Sequence, residues 1–388
     1  MTPTAYERAL DRAVPRVIEE TIQVTEIPAP TFHERTRAQY VHDRFAGIGG
    51  WSHLSIDALS NVVAIRRGEA GRARLLVCAH TDTVFPDRET PVLRSRGRLT
   101  GRGVGDNSLG VAAMLGVAEV MQASAVRGAG DIIFAANVGE EGRGDLRGAR
   151  RLINDYARDF DAVIAIEGHS LHRVQTAAVA SLRYEVSVQT EGGHSWGAYG
   201  RSNAIALLAR GIVALEPLMP DPAAQPKTTM NVGVIRGGRS VNTIAPDAAF
   251  ELDIRSVEPA NVDALLRAVR SAVRRAVGAA AEVRFKRIGA RPGGSLSADI
   301  PLVQAVVGAR RGLRMPAPEF TAGSTDANAA FGAGYPTTCI GVTTGGEAHT
   351  PREWIHTAPI RQGVPYLGRA ILAAARLPRS AARGSDAG

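Results

Sequence analysis

The chain has 388 residues, 45% hydrophobic and 22% charged, the balance of a globular protein long enough for more than one core. Its formal net charge is +8, yet lysine occurs only at Lys227 and Lys286, the arginines are dispersed and aromatics are 5%. No basic face with stacking side chains is legible, so no nucleic-acid partner is expected. No apolar run approaches the roughly 18 residues of a membrane span, and the charged N-terminal segment lacks the apolar stretch of a secretory signal, so a cytoplasmic protein with no membrane partner is expected.

Amphipathic periodicity predicts helices over 5–24 and 34–46, separated by the turn Ile27-Pro28-Ala29-Pro30. Strand-like apolar runs and helical segments then alternate: strands at 61–66 and 75–79, a helix at 109–123, a strand at 131–138, a helix at 146–159 and a strand at 162–166. This order predicts an α/β class, a mostly parallel sheet flanked by helices. Near residue 180 the pattern changes. Apolar residues take every second position of 182–188, the mark of a strand with one wet face. A helix at 203–218, a Pro-rich loop at 217–226, strands at 230–235 and 249–254, a helix at 260–277 and a strand at 282–287 complete an inserted α+β domain. Helix 302–312 and strand 339–343 resume the first pattern. The expected division is a first domain in two parts, 1–178 and 291–388, around an insertion at 179–290, with a disordered tail past Arg376. Cys78 and Cys339 lie inside apolar runs and read as buried thiols, with no disulfide framework.

Five possible metal ligands sit at or just beyond strand-like runs or beside glycine-rich turns: His80, Asp106, Glu141, Glu167 and His349. Ligands of open α/β sheets bind outside the carboxyl ends of the strands, so side chains far apart in sequence can converge there. Two imidazoles and three carboxylates suit Zn²⁺, Mn²⁺ or Co²⁺. Asp82, two residues after His80, offers the acceptor that fixes a metal-bound imidazole. Gly101-Arg102-Gly103-Val104-Gly105-Asp106 does not match the dinucleotide fingerprint and reads as a tight loop delivering Asp106. In Gly139-Glu140-Glu141-Gly142, one carboxylate can hold an ion while its neighbour moves a proton. Glu167 ends an apolar run, whereas His169 and His172 are expected on a surface loop. Gly192-Gly193-His194 lies in the insertion, where the imidazole can donate to a developing oxyanion. Singly, each motif has an ordinary explanation: a strand-end histidine, a helix N-cap aspartate, a solvated acidic loop, a turn histidine beside a packed Trp196.

Jointly, and in chain order, they resemble the M20 family of metallopeptidases and aminoacylases, in its peptidase T-like and glutamate carboxypeptidase-like branch. The matching text is His-Thr-Asp-Thr-Val at 80–84, Gly-Asp-Asn at 105–107, Glu-Glu-Gly at 140–142, Glu-Gly at 167–168, Gly-Gly-His-Ser at 192–195, Val-Asn-Thr-Ile at 241–244, Leu-Asp-Ile-Arg at 252–255 and Ala-His-Thr at 348–350. The resemblance implies two divalent ions, Zn²⁺ first, with Co²⁺ or Mn²⁺ as alternatives. His80 and Glu167 would hold one ion, Glu141 and His349 the other, and Asp106 would bridge them. Asp82 would orient His80. Glu140 would be the general base for attack of a metal-bound water on an amide carbonyl. His194 would stabilise the oxyanion, and the insertion would be a lid through which a homodimer forms. A cis peptide after Asp106 is also implied. For a small-molecule substrate, Arg255 would grip a carboxylate, Asn242 would face the substrate, and Ser324 belongs to a segment lining the pocket.

Glu167, where the family carries Asp or Glu, points toward the carboxypeptidase and aminoacylase side. Gly-Val-Gly-Asp-Asn-Ser and Ser-Thr-Asp-Ala-Asn point toward the peptidase T-like branch. A short peptide and an N-acyl amino acid therefore both stand as substrates. Two further readings stand beside them: a hydrolase of a carbamoyl or other non-peptide C–N bond at the same site, and a non-catalytic binding protein on the same scaffold. The intact ligand set and base weigh against the last.

Overall fold

In the computed structural model, which describes residues 4–124 and 126–382, Thr4 starts the first helix. Its hydroxyl accepts the Glu7 N–H at 3.2 Å and the Glu7 carboxylate accepts the Thr4 N–H at 2.6 Å, a reciprocal cap. The chain then forms α1 (Ala5–Glu26), α2 (Arg35–Ile48), β1 (His53–Ile56), β2 (Val62–Arg66), β3 (Leu75–His80), β4 (Leu93–Ser95), β5 (Arg98–Thr100), α3 (Leu109–Ala123), β6 (Ile132–Asn137), α4 (Arg147–Asp155), β7 (Ala162–Glu167) and β8 (Arg173–Ala178). Next come β9 (Ala180–Gln189), β10 (Gly193–His194), α5 (Ala204–Val213), β11 (Thr228–Gly237), β12 (Thr243–Ile244), β13 (Asp247–Ser256), α6 (Pro259–Val277) and β14 (Val283–Arg291). The last elements are β15 (Gly294–Ser295), α7 (Pro301–Gly312), β16 (Glu319–Gly323), α8 (Ala327–Gly332), β17 (Thr337–Gly341), β18 (Gly345–Gly346), β19 (Trp354–His356), α9 (Ile360–Ala375) and α10 (Arg379–Ala382).

Two compact units result, Met1–Ala178 with Ser295–Gly388, and Val179–Gly294. In the first, the main sheet runs β1-β2-β6-β3-β7-β17-β8-β15, with β16 on β8. Its centre, β6-β3-β7-β17, is parallel, while β1/β2, β2/β6 and β8/β17 are antiparallel. The central strands are buried along almost their whole length, as parallel strands covered on both faces must be. Alternation divides their side chains between two layers. Val62, Leu75, Val77, Phe134 and Ile164 pack with Leu10 of α1, Met114 of α3 and Val364 of α9. Val63, Leu76, Cys78, Ile133 and Val163 pack with Leu152 of α4 and Phe331 of α8. The expected α/β class, a mainly parallel sheet flanked by helices, is the one observed.

The expected disordered tail needs correction as far as Ala382. Leu377 O accepts the Ala73 N–H at 2.9 Å, Arg379 reaches Asp161 at 3.2 Å, and Ala382 is buried. Residues 383–388 lie outside the described ones. Helix α9 and strands β1, β8 and β16 have no counterpart among the sequence expectations.

The second unit is built on an antiparallel sheet, β11-β13-β9-β14. Val186 pairs with Phe250 on one side and Phe285 on the other, and Tyr184, Val188, Leu252 and Ile254 extend the apolar face under α5 and α6. This is the period-two pattern of 182–188 realised as a one-sided sheet. Strand β14 runs to Arg291, so the unit closes at Gly294 rather than at residue 290.

Candidate metal centre

Strands β3 and β7 are parallel neighbours, and their last residues are His80 and Glu167. Beyond β6, the Gly139–Gly144 turn carries Glu140 and Glu141. A Cβ at Gly144 would lie 2.5 Å from the Gly139 carbonyl oxygen, so the turn closes because that side chain is absent. Asp106 lies in the turn before α3, with a cis peptide bond to Asn107 as the resemblance implied. His349 follows β18, in the left-handed region at φ 64°. Here the Glu347 carbonyl accepts the Thr350 N–H and hydroxyl, which stabilises the bend.

These segments bring the five expected ligands together. His80 Nε2 lies 3.1 Å from Asp106 Oδ1 and 3.8 Å from Glu167 Oε2. His349 Nε2 lies 3.1 Å from Asp106 Oδ2 and 3.0 Å from Glu141 Oε1. The two oxygens of Asp106 therefore face different imidazoles. Glu140 is buried, and a carboxylate oxygen of it lies within 4.8 Å of His80 and Glu141 donor atoms.

Asp82 meets His80 through its backbone rather than through the carboxylate expected to orient the ring. His80 Nδ1 is 3.1 Å from the Asp82 backbone carbonyl and 3.6 Å from its carboxylate. That carboxylate mainly accepts from elsewhere: Glu140 N–H at 2.9 Å, Glu141 N–H at 3.0 Å and the Thr31 hydroxyl at 2.9 Å. The buried guanidinium of Arg37 donates to the carbonyls of Thr81 and Ile27 and so anchors the same stretch.

No motif in the sequence marks Glu353. It is fully buried, and its carboxylate accepts the N–H groups of Gly103 (3.0 Å), Gly105 (2.8 Å) and Asp106 (2.7 Å). His169 Nε2 joins them at 3.1 Å. The expectation that His169 sits on a surface loop is thus incorrect: its ring is held against Gly105 and Gly345, with the side chain 18% exposed.

The electrostatics follow from this crowding. Burial pushes the Asp106 carboxyl up, but the imidazoles of His349 and His80 outweigh it and hold it well below the usual carboxylate range. Asp106 and Glu141 push His349 up to about 10. Burial lowers His80, but Asp106, Asp82 and Glu167 more than reverse that. Burial, with the charge of Asp106 beside it, raises Glu167 to about 7. Without an ion, protons on the imidazoles supply the positive charge the carboxylates require.

The donor geometry fits a pair of divalent ions. His80, Asp106 and Glu167 form one group whose donor atoms lie within 4.8 Å of one another, and Asp106, Glu141 and His349 form a second. A tetrahedral site with bonds of about 2.0–2.2 Å needs donors about 3.3–3.6 Å apart, and the four histidine–carboxylate separations run from 3.0 to 3.8 Å. The set is nitrogen and oxygen only, which suits Zn²⁺, Mn²⁺ or Co²⁺.

Beside Glu167 opens a cavity of about 490 Å³ lined by Arg173, Gln175, Thr321, Gly323 and Thr325, and Ser324 lies between the last two. In the second unit, His194 is exposed on β10, and its Nδ1 accepts the Trp196 N–H at 3.3 Å. Asn242 is exposed, its carbonyl accepting the Ser195 N–H at 3.0 Å. Arg255 Nε donates to Asp253 at 2.7 Å.

Comparison with known proteins gives the same direction. A model of peptidase family M20/M25/M40 matches residues 76–373. The uncharacterized protein YqjE of Bacillus subtilis is 23% identical over 350 residues, covering 84% of this chain and 90% of that one. A tripeptidase from Staphylococcus aureus shares the fold at TM-score 0.79 and 21% identity, covering 93% of this chain and 98% of the other. Bacillus subtilis YXEP, described as a dinuclear metal binding peptidase, shares it at TM-score 0.68 and 17% identity, covering 93% and 98%.

Proposed function

The chain belongs to peptidase family M20/M25/M40 and is a metallohydrolase, and from that premise we propose that it cleaves an amide bond in a short peptide or N-acyl amino acid. The observation that carries this reading is the Asp106 carboxylate, whose two oxygens face His80 and His349 at 3.1 Å each, with Glu140 buried alongside. His80 and Glu167 would hold one ion, Glu141 and His349 the other, and Asp106 both; we take the ions to be Zn²⁺, with Co²⁺ or Mn²⁺ able to replace it. When bound, such ions polarise a carbonyl and lower the pKa of water.

Glu140 then has one task. Its carboxylate removes a proton from the attacking water as the oxygen bonds to the carbonyl carbon, and returns that proton to the nitrogen as the C–N bond breaks. Asp82 holds the Glu140 backbone while His80 takes its orientation from the same residue. His194 is proposed to donate to the oxyanion, Arg255 to grip a substrate carboxylate, and Asn242 and Ser324 to contact the rest of a small-molecule substrate. The tripeptidase fold neighbour supports the peptide side of this substrate class.

The second unit is proposed to act as a lid and as the contact of a homodimer. Strand β11 is an edge strand, and Val234, Ile235 and Val213 are exposed on this unit. A cytoplasmic setting belongs to the same reading, and Cys78 and Cys339 are free thiols. Among the described residues no helix is long and apolar enough to cross a membrane. The test is a panel of N-acyl amino acids, di- and tripeptides and carbamoyl compounds, each with Zn²⁺, Co²⁺ and Mn²⁺. Metal-dependent release of an amine from peptide or acyl substrates is expected. Turnover of carbamoyl compounds alone, or of nothing, overturns the proposal.

A further inference from the structure

We propose that Glu353 is a positioning residue of the metal centre. Its buried carboxylate, together with His169, fixes three ligand-bearing segments against one another. This rests on the two-ion reading of the site.

A carboxylate with no solvent exposure must find its compensation inside the protein. Glu353 finds it in the segments that carry the ligands. The N–H of Asp106 itself donates to Oε1, as does Gly105 N–H, and Gly103 N–H donates to Oε2. Backbone N–H groups gathered on one anion make a nest, which fixes the turn that presents them. The bridging residue is thus held by its own backbone at 2.7 Å.

His169 extends the hold to the other segments. It follows Glu167 by two residues, at the end of β7, and its Nε2 meets the same Oε1 at 3.1 Å. Its ring is wedged between two loops. A Cβ at Gly105 would lie 2.2 Å from Nε2, and one at Gly345 would lie 2.5 Å from the ring. Both loops approach the imidazole because neither has a side chain there. Glu353 in turn follows His349 by four residues. One carboxylate therefore ties a ligand of each proposed ion to the bridge between them.

Apolar packing of similar volume commonly stabilises a fold as well as a buried ion pair does. What the pair adds here is geometry: it determines where Asp106 stands relative to Glu167 and His349. Outer partners of this kind change metal affinity by about 10–100-fold when removed.

The experiment titrates the chelator-stripped full chain with Zn²⁺ and with Mn²⁺ by calorimetry. It compares wild type, Glu353→Gln and His169→Gln, with circular dichroism and thermal melts to establish that each is folded at the assay temperature. Glu353→Gln is expected to bind about 10–100-fold more weakly, or to take up one ion where wild type takes two. His169→Gln, which keeps the three backbone bonds, is expected to shift the same way by less. Steady-state kinetics are expected to show a fall in kcat larger than any change in KM. If Glu353→Gln does not fold, His169→Gln decides. A folded variant that binds two ions with wild-type affinity overturns the inference alone. A wild-type chain that takes up no ion overturns the two-ion reading and the inference with it.

Discussion

The Asp82 carboxylate accepts the backbone N–H of Glu140 at 2.9 Å. The same residue offers its carbonyl oxygen to His80 Nδ1 at 3.1 Å. One side chain and its backbone therefore set both a proposed metal ligand and the proposed base. A carboxylate with no solvent exposure thus has its compensation in these partners. Burial pushes its carboxyl up, but His80 and the Glu141 and Glu140 N–H donors outweigh burial, so it is held below its ordinary value and stays ionised.

Asp82→Ala removes the carboxylate that accepts the Glu140 and Glu141 N–H groups and leaves in place the backbone carbonyl that faces His80. Metal affinity and kcat are each expected to fall by about 10–100-fold, the range for loss of an outer partner of a metal ligand. Asp82→Asn keeps a carbonyl oxygen but replaces the second acceptor with a donor, and is expected to recover only part of the loss. Metal content and kcat on the same preparations check this. Wild-type values for Asp82→Ala would contradict a role for this carboxylate in placing Glu140 and Glu141.

Glu140→Gln separates proton transfer from metal binding. The amide keeps the shape and the backbone bond to Asp82 but cannot accept a proton from water. Both ions are expected to remain, and kcat to fall by about 10²–10⁴-fold, the usual contribution of general acid–base catalysis. Elemental analysis beside a rate measurement tests the pair of outcomes. Loss of the ions would make Glu140 a ligand instead.

The sequence makes the five proposed ligands legible because strand ends and glycine turns leave a local trace. His80 and Glu167 end apolar runs, and glycines flank the Glu140-Glu141 pair. Glu353 leaves none, since its partners are backbone N–H groups that no residue pattern encodes. His169 reads as a loop histidine until the glycines at 105 and 345 are seen to face it. Arg37 lies in an amphipathic helix, where a charge suggests solvent, yet its guanidinium caps carbonyls of the Pro-rich turn and of Thr81. The β9 period was readable because one face of that sheet is wet. The end of the chain has the composition of a tail, while the contacts that order it, of Leu377 and Arg379, are to Ala73 and Asp161, far away in sequence.

The metal-free chain is expected to lose stability as pH rises, and ions to reverse the trend. His349 is raised to about 10 by Asp106 and Glu141, so its contribution is complete below 6.5 and is lost as pH climbs through 10. Glu167 is raised from 4.5 to about 7, mainly by burial, so the folded state favours its neutral form and loses that advantage between those values. Asp106 is lowered, which acts only below 3.8, outside this range. Thermal melts of chelated protein at pH 5.5, 7 and 9 should give a falling Tm. Ions displace the imidazole protons, so the rise in Tm on adding Zn²⁺ should grow with pH. A chelated protein whose Tm rises across this range would contradict the sign.

Gly105→Ala tests how tightly the proposed bridge, Asp106, is held. The position needs no left-handed backbone, so conformation is not the obstacle; space is. The added carbon would meet the His169 ring at 2.2 Å, closer than any real contact. The ring cannot yield freely, because Nε2 is bound to Glu353 and its other edge faces Gly345. Either the imidazole leaves Glu353 or the Asp106 turn shifts outward. Both outcomes misplace the carboxylate proposed to bridge the ions, and metal affinity is expected to drop about 10-fold or more. Gly308→Ala is the control: it lies in α7 with nothing within 4 Å of the new carbon, and is expected to stabilise by about 0.4–1 kcal/mol without touching metal binding. Calorimetric titration and melts of both variants make the comparison. Equal metal affinities would show that the Asp106 turn has room that these distances deny.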